Sequence, residues 1–135
     1  MATRGRGRPR RAEADAEILD AALAMLRAGG YRELSLDEVA RRAGTAKSSI
    51  YRRWASKAAL AAEVVRREVP APEGDFVAAF EALLNGALGG VVASLIGEAQ
   101  ESAETRSIVL ELLAPYRAAG DEMLAPILFR RLLNN

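Results

Sequence analysis

The 135-residue chain contains neither cysteine nor histidine. Disulfides and thiolate chemistry are therefore excluded, as are the usual zinc and iron ligand sets. Histidine is also missing as a general base. Carboxylate acid/base chemistry remains open, but no motif calls for it. Aromatic residues make up only 5% of the chain. Ala and Leu dominate instead, which favours helix. Alternating β-branched runs are missing, so almost no sheet is expected. No apolar stretch follows the basic start MATRGRGRPRR, which argues against a secretory signal. The longest apolar region, Ala87 to Ile96, is too short to span a bilayer. A soluble, cytoplasmic, all-α protein is expected, with no membrane contact, metal or other cofactor.

What is present is unevenly spread. Half of the residues are hydrophobic, enough for a real core. Residues 1–68 carry 15 Lys/Arg against 9 Asp/Glu, and residues 69–135 carry 4 against 9. A basic first half beside an acidic second half points to a polyanionic partner at one end only.

The pattern divides the chain into three parts. Residues 1–11 have mutually repelling arginines among Gly5, Gly7 and Pro9, and are expected to be a disordered basic arm. Residues 12–68 carry four helical segments. The first, Ala12 to Ala28, aligns Leu19, Leu23 and Leu26 and stops at Gly29-Gly30. The second, Ser35 to Ala43, opens with Ser35 and Glu38 at capping-box spacing. Gly44 makes a turn, and Thr45 is expected to cap a third segment, Ala46 to Arg53. Ser56 is expected to cap a fourth, Lys57 to Glu68. The run Val69-Pro70-Ala71-Pro72-Glu73-Gly74 breaks the chain and marks a domain boundary. Residues 69–135 are again helical by pattern. The segments are Asp75 to Asn85, Gly89 to Gln100, Ala103 to Ala119 and about Asp121 to Leu133, with Pro115 and Pro126 as kinks or boundaries.

Two short helices joined by a tight turn form a helix-turn-helix unit. Ala40 is small where the helices must cross, and Val39 and Ile50 can bury between them. The outer face of the third helix then presents Thr45, Lys47, Ser48, Ser49, Tyr51, Arg52 and Arg53. This face is rich in donors and has no acid, which suits the acceptor-lined major groove and its phosphate rims. Trp54 is expected to close the core, and Tyr51 to set its ring on the core with its hydroxyl toward phosphate.

The segment LSLDEVARRAGTAKSSIYRRWASKAAL resembles the DNA-binding signature of the TetR (tetracycline-repressor-like) family. The shared features are a Ser opening helix two, Ala and Gly around the turn, an aliphatic-Tyr pair in helix three, an aromatic soon after, and Ser-Lys before helix four. The resemblance covers residues 15–68. It implies that Ser35 and Lys57 bond phosphates, that Lys47 and Ser48 reach base edges, and that Ser49 and Tyr51 touch phosphate or base methyl groups. Arg52 and Arg53 stand where the family often has an aromatic residue or histidine, and these two arginines would add phosphate contacts or direct readout. It further implies a homodimeric repressor whose C-terminal helical domain binds a small effector, releasing a palindromic operator. Chains of the family usually run longer, so that domain is expected to be compact or incomplete here.

Arg6-Gly7-Arg8-Pro9 resembles the core of an AT-hook, in which arginines enter a narrow A·T minor groove. Phe76, Phe80, Leu84, Ile96, Ile108, Leu112 and Tyr116 are candidates for an effector pocket, though apolar residues at helical spacing also make plain core. Glu98, Gln100 and Glu111 are polar pocket candidates or members of a solvated face. Leu124, Ile127, Leu128 and Leu132 are candidates for a dimer contact. The competing interpretation is an architectural DNA binder that uses the arm and basic head for phosphate attraction alone. A helical protein-interaction module has less to support it. An enzyme has least, since no nucleophile–base pair, metal cluster or phosphate loop is present.

Overall fold

The computed structural model describes the backbone of residues 7–119 and the side chains of residues 11–116. Within that range the protein is helical and contains no strand. The helices are α1 (Gly7–Glu33), α2 (Leu36–Ala43), α3 (Lys47–Arg53), α4 (Lys57–Glu68), α5 (Phe76–Asn85), α6 (Gly89–Ala99) and α7 (Ala103–Leu113). A 3-10 segment, Ala114–Ala119, follows. No single described helix is long and apolar enough to cross a membrane, and α5 and α6 turn through 99° where they meet.

Local chemistry sets most of the boundaries. Ser35, Ser56, Asp75 and Ser102 each accept a backbone N–H from three residues on, at 3.0–3.3 Å, and so start α2, α4, α5 and α7. Gly30, at φ 76°, breaks the helical run of α1. Gly44 ends α2 in the left-handed conformation at φ 68°, which glycine adopts without a Cβ penalty. Pro115 falls where α7 gives way to the 3-10 segment.

Three expectations need correction. The arm expected to be disordered through Arg11 is helical from Gly7 onward. Pro9 lies in the first turn of α1, where its missing N–H has no intrahelical partner to lose. Thr45 does not cap α3: Ala46 occupies that position and makes no side-chain cap bond. Thr45 instead gives its backbone N–H to the Ala40 carbonyl at 3.0 Å, sealing the end of α2. The Glu38 carboxylate, expected to reach back to Ser35, is taken by Arg41 and Arg42 on its own helix.

One apolar cluster runs from Ile18 on α1 to Tyr116 beyond α7. In the first half α1 packs on α2 and α4 around Ala22, Val39, Ile50, Leu60, Ala61 and Val64, all buried. The cluster continues across α1–α6 and α4–α7 contacts into Phe80, Val92 and Leu95. Phe80 meets Tyr116 edge-on at 5.6 Å between ring centres.

Candidate DNA-binding face

The α2–turn–α3 unit presents one polar surface because its other side is anchored. Val39 and Ile50 are 0% exposed, and Ala40 is buried beside them. With Ile50 inward, Lys47, Ser48, Tyr51, Arg52 and Arg53 are exposed and Ser49 is half-buried. Lys47 Nζ lies 2.9 Å from Asp37 Oδ1 on α2. That bond holds the Lys47 ammonium above the usual lysine range, so it is charged at any physiological pH. Lys47 also sits 5.8 Å from the Tyr51 ring centre.

Tyr51 departs from expectation. The residue is 45% exposed and does not join the core cluster. The cause is spacing: Ile50 takes the inward position, so its neighbour must turn outward on a helix. Trp54 packs against the core as expected. Arg52 Nη2 meets Ser49 Oγ at 3.2 Å, and Arg53 Nη1 meets Asp15 Oδ2 of α1 at 3.3 Å. Ser35 and Thr45 are half-buried at the two ends of α2. The side chains of Arg6 and Arg8 lie outside the described residues, as do Leu124, Ile127, Leu128 and Leu132 with the Pro126 boundary.

Lys57 stands where α4 meets the end of α1. Its Nζ lies 4.6 Å from the Tyr31 ring centre and 3.4 Å from the Arg32 carbonyl oxygen. The Tyr31 hydroxyl donates to both Glu98 carboxylate oxygens, at 3.0 and 3.2 Å. Thr105 Oγ1 donates to Glu98 Oε2 at 2.8 Å. Glu98 on α6 thus ties the head to α7. Sequence reasoning placed it on a solvated face or in a pocket and missed this role, because Tyr31 is 67 residues away.

Burial first, and then the Glu98 bond and charge, push the Tyr31 phenol well above its ordinary range. Its stabilisation is therefore complete below the unfolded phenol's pKa of about 10 and is lost as pH rises beyond it. Tyr31→Phe is expected to cost about 1 to 2 kcal/mol, since Glu98 is partly solvated and keeps Thr105. A thermal midpoint equal to wild type would show that this link contributes nothing.

The apolar pocket candidates separate into two environments. Phe80, Leu84 and Leu112 are buried in the core, and Phe76, Ile96 and Ile108 are half-buried. Tyr116 is buried yet lines an open cleft of about 430 Å³. Arg27, Glu68, Val69 to Pro72, Ala79, Ala82, Leu83 and Gly86 to Leu88 complete its walls. A smaller neighbouring cleft, about 110 Å³, brings in Leu112 and Glu111.

An all-helical head with an anchored recognition helix and a basic outer face is a helix-turn-helix DNA-binding unit. Residues 18–64 match the family model of bacterial regulatory proteins, tetR family. No curated protein matches the chain. The match covers the head, from α1 into α4, and this part of the chain is similar to the DNA-binding head of that family of transcription regulators.

Proposed function

We propose that the chain is a homodimeric repressor that leaves a palindromic operator when a small effector binds. The carrying observation is the exposed face of α3, held outward by fully buried Ile50. In this proposal Lys47 and Ser48 read base edges, while Ser35, Thr45, Ser49, Tyr51, Arg52 and Lys57 hold the backbone or base methyl groups. Arg6 and Arg8 enter the adjacent minor groove. The C-terminal domain, residues 69–135, binds the effector and dimerises through Leu124, Ile127, Leu128 and Leu132. No catalytic chemistry is assigned to it.

The route from effector to DNA is supported by α4. Lys57 begins that helix at the head, and Glu68 at its end lines the 430 Å³ cleft together with Val69. The cleft volume suits a small organic ligand, and its lining residues are mostly apolar. An effector that binds one setting of α4 better than the other shifts the spacing of two heads.

Selection of bound DNA from randomised duplexes at near-physiological salt tests the proposal. An enriched palindrome with half-sites about one helical turn apart is the expected result. Enrichment for A·T richness alone would favour the architectural alternative. On the selected site, Lys47→Ala is expected to weaken binding about tenfold and to relax base preference, within the 1–3 kcal/mol range of a base contact. Unchanged affinity and preference would remove Lys47 from the reading face.

A further inference from the structure

Beside the recognition helix lies a cleft of about 410 Å³ lined by Arg11, Ser49, Arg52 and Arg53. Its composition is unusual for a surface depression: three guanidinium groups and a hydroxyl, with no carboxylate in the lining. Arg11 belongs to α1, and the other three belong to α3. The juxtaposition exists because α1 continues as helix toward its N-terminus and does not dissolve into an arm at Arg11. One turn further along α1, Asp15 takes Arg53 at 3.3 Å, which pins α3 to α1 and offsets one of the three charges. Arg52 is drawn back along α3 by Ser49 Oγ at 3.2 Å, toward the cleft. Arg11 and Arg52 remain as cations without a carboxylate partner among the described ion pairs.

We propose that this cleft is a binding site for a phosphodiester of the DNA backbone, clamped between α1 and α3, with Arg11 as the contact that α1 supplies. The assignment rests on the proposed groove-facing role of α3. A helix lying in the major groove has a phosphate rim along its flank, and the cleft is on that flank. Guanidinium groups suit the partner, because each offers paired N–H donors to phosphate oxygens in a fixed fork. The contact fixes the register of the head on the duplex and carries no base information.

The test compares wild type with Arg11→Gln, which removes the charge at an exposed position and keeps a side chain of useful length. Dissociation constants are measured for the selected palindrome and for a random duplex between about 50 and 200 mM salt. Loss of one phosphate contact is expected to lower the slope of log affinity against log salt by about 0.9. At 0.15 M salt the same term weakens binding about fivefold, and by the same factor on both DNAs. Arg106→Gln on α7, an equal change in net charge outside the cleft, is expected to leave the slope alone. A slope for Arg11→Gln equal to wild type overturns the proposal. So does a loss confined to particular base pairs, which would make Arg11 a base reader. If wild type enriches no palindrome but Arg11→Gln still lowers the slope on random DNA, the repressor proposal fails and the phosphate site stands.

Discussion

Gly89→Ala is expected to destabilise the protein by about 3 kcal/mol or more, at the severe end of overpacking substitutions. A Cβ at Gly89 would lie 1.8 Å from the Leu84 carbonyl oxygen and 2.5 Å from its carbon. Both atoms belong to backbone, so no flexible side chain can swing aside. Gly89 begins α6 directly after the turn from α5, and its N–H is already bound to the Gly86 oxygen at 3.0 Å. Relief therefore requires α5 and α6 to separate. Phe80, Leu84, Val92 and Leu95 are packed between them and their neighbours and would lose contact. The thermal midpoint is expected to fall by roughly 10 °C, taking about 3 to 4 °C per kcal/mol for a chain of this size. Gly90→Ala is the internal control, since a Cβ there meets nothing within 4 Å. It adds helix propensity and is expected to be neutral or to stabilise by up to about 1 kcal/mol. Equal melting of the two variants would mean that the α5–α6 corner is not as close as the structure has it. The single tryptophan, Trp54, is in the head. Because one core cluster joins head and body, its fluorescence and the far-ultraviolet helical signal are expected to fall together.

What could be read from the sequence was whatever is decided within about five residues. Ser35 and Ser56 cap their helices, Gly44 turns left-handed, and Val39 and Ile50 go inside, all from local rules. The family resemblance pointed at the same residues that the model match covers. The failures have physical causes. Thr45 looks like an N-cap, but the tight turn uses its backbone N–H to close α2, and that choice depends on the geometry of Gly44. Glu38 had two local options and took the arginines. Arg11 reads locally as part of a disordered arm because its own stretch is poor in helix formers, but the longer helix after it extends back over it. Glu98 is illegible locally, because its partners lie on α1 and α7. Phe80 and Leu84 could equally have lined a pocket, since periodicity says that a residue faces inward and not whether space remains there.

Ile50→Asp separates the scaffold of the DNA-binding face from the face itself. Ile50 is 0% exposed, so the change removes about 2 to 3 kcal/mol of apolar burial and places a carboxyl where no polar partner is arranged. A total loss of about 4 kcal/mol or more is expected at neutral pH, enough to unfold the head or leave it barely folded. DNA binding is expected to disappear with it. The defect should also depend on pH in a defined sense. Desolvation raises the folded-state pKa of the introduced carboxyl above its unfolded value of about 3.9. The folded variant then binds more protons than the unfolded chain, so its stability relative to wild type falls as pH rises through the window above about 4. Denaturant midpoints read from Trp54 at pH 5 and pH 7, each referred to wild type at the same pH, are expected to differ more at pH 7. Lys47→Ala is the complementary case. Its ion pair with Asp37 is exposed, so stability should be nearly unchanged while operator affinity falls. If Ile50→Asp instead folds and binds DNA like wild type, Ile50 does not anchor α3. Lys47, Ser48 and Arg52 would then lose the reason for their outward placement, and both the proposed reading face and the phosphate cleft beside it would fall together.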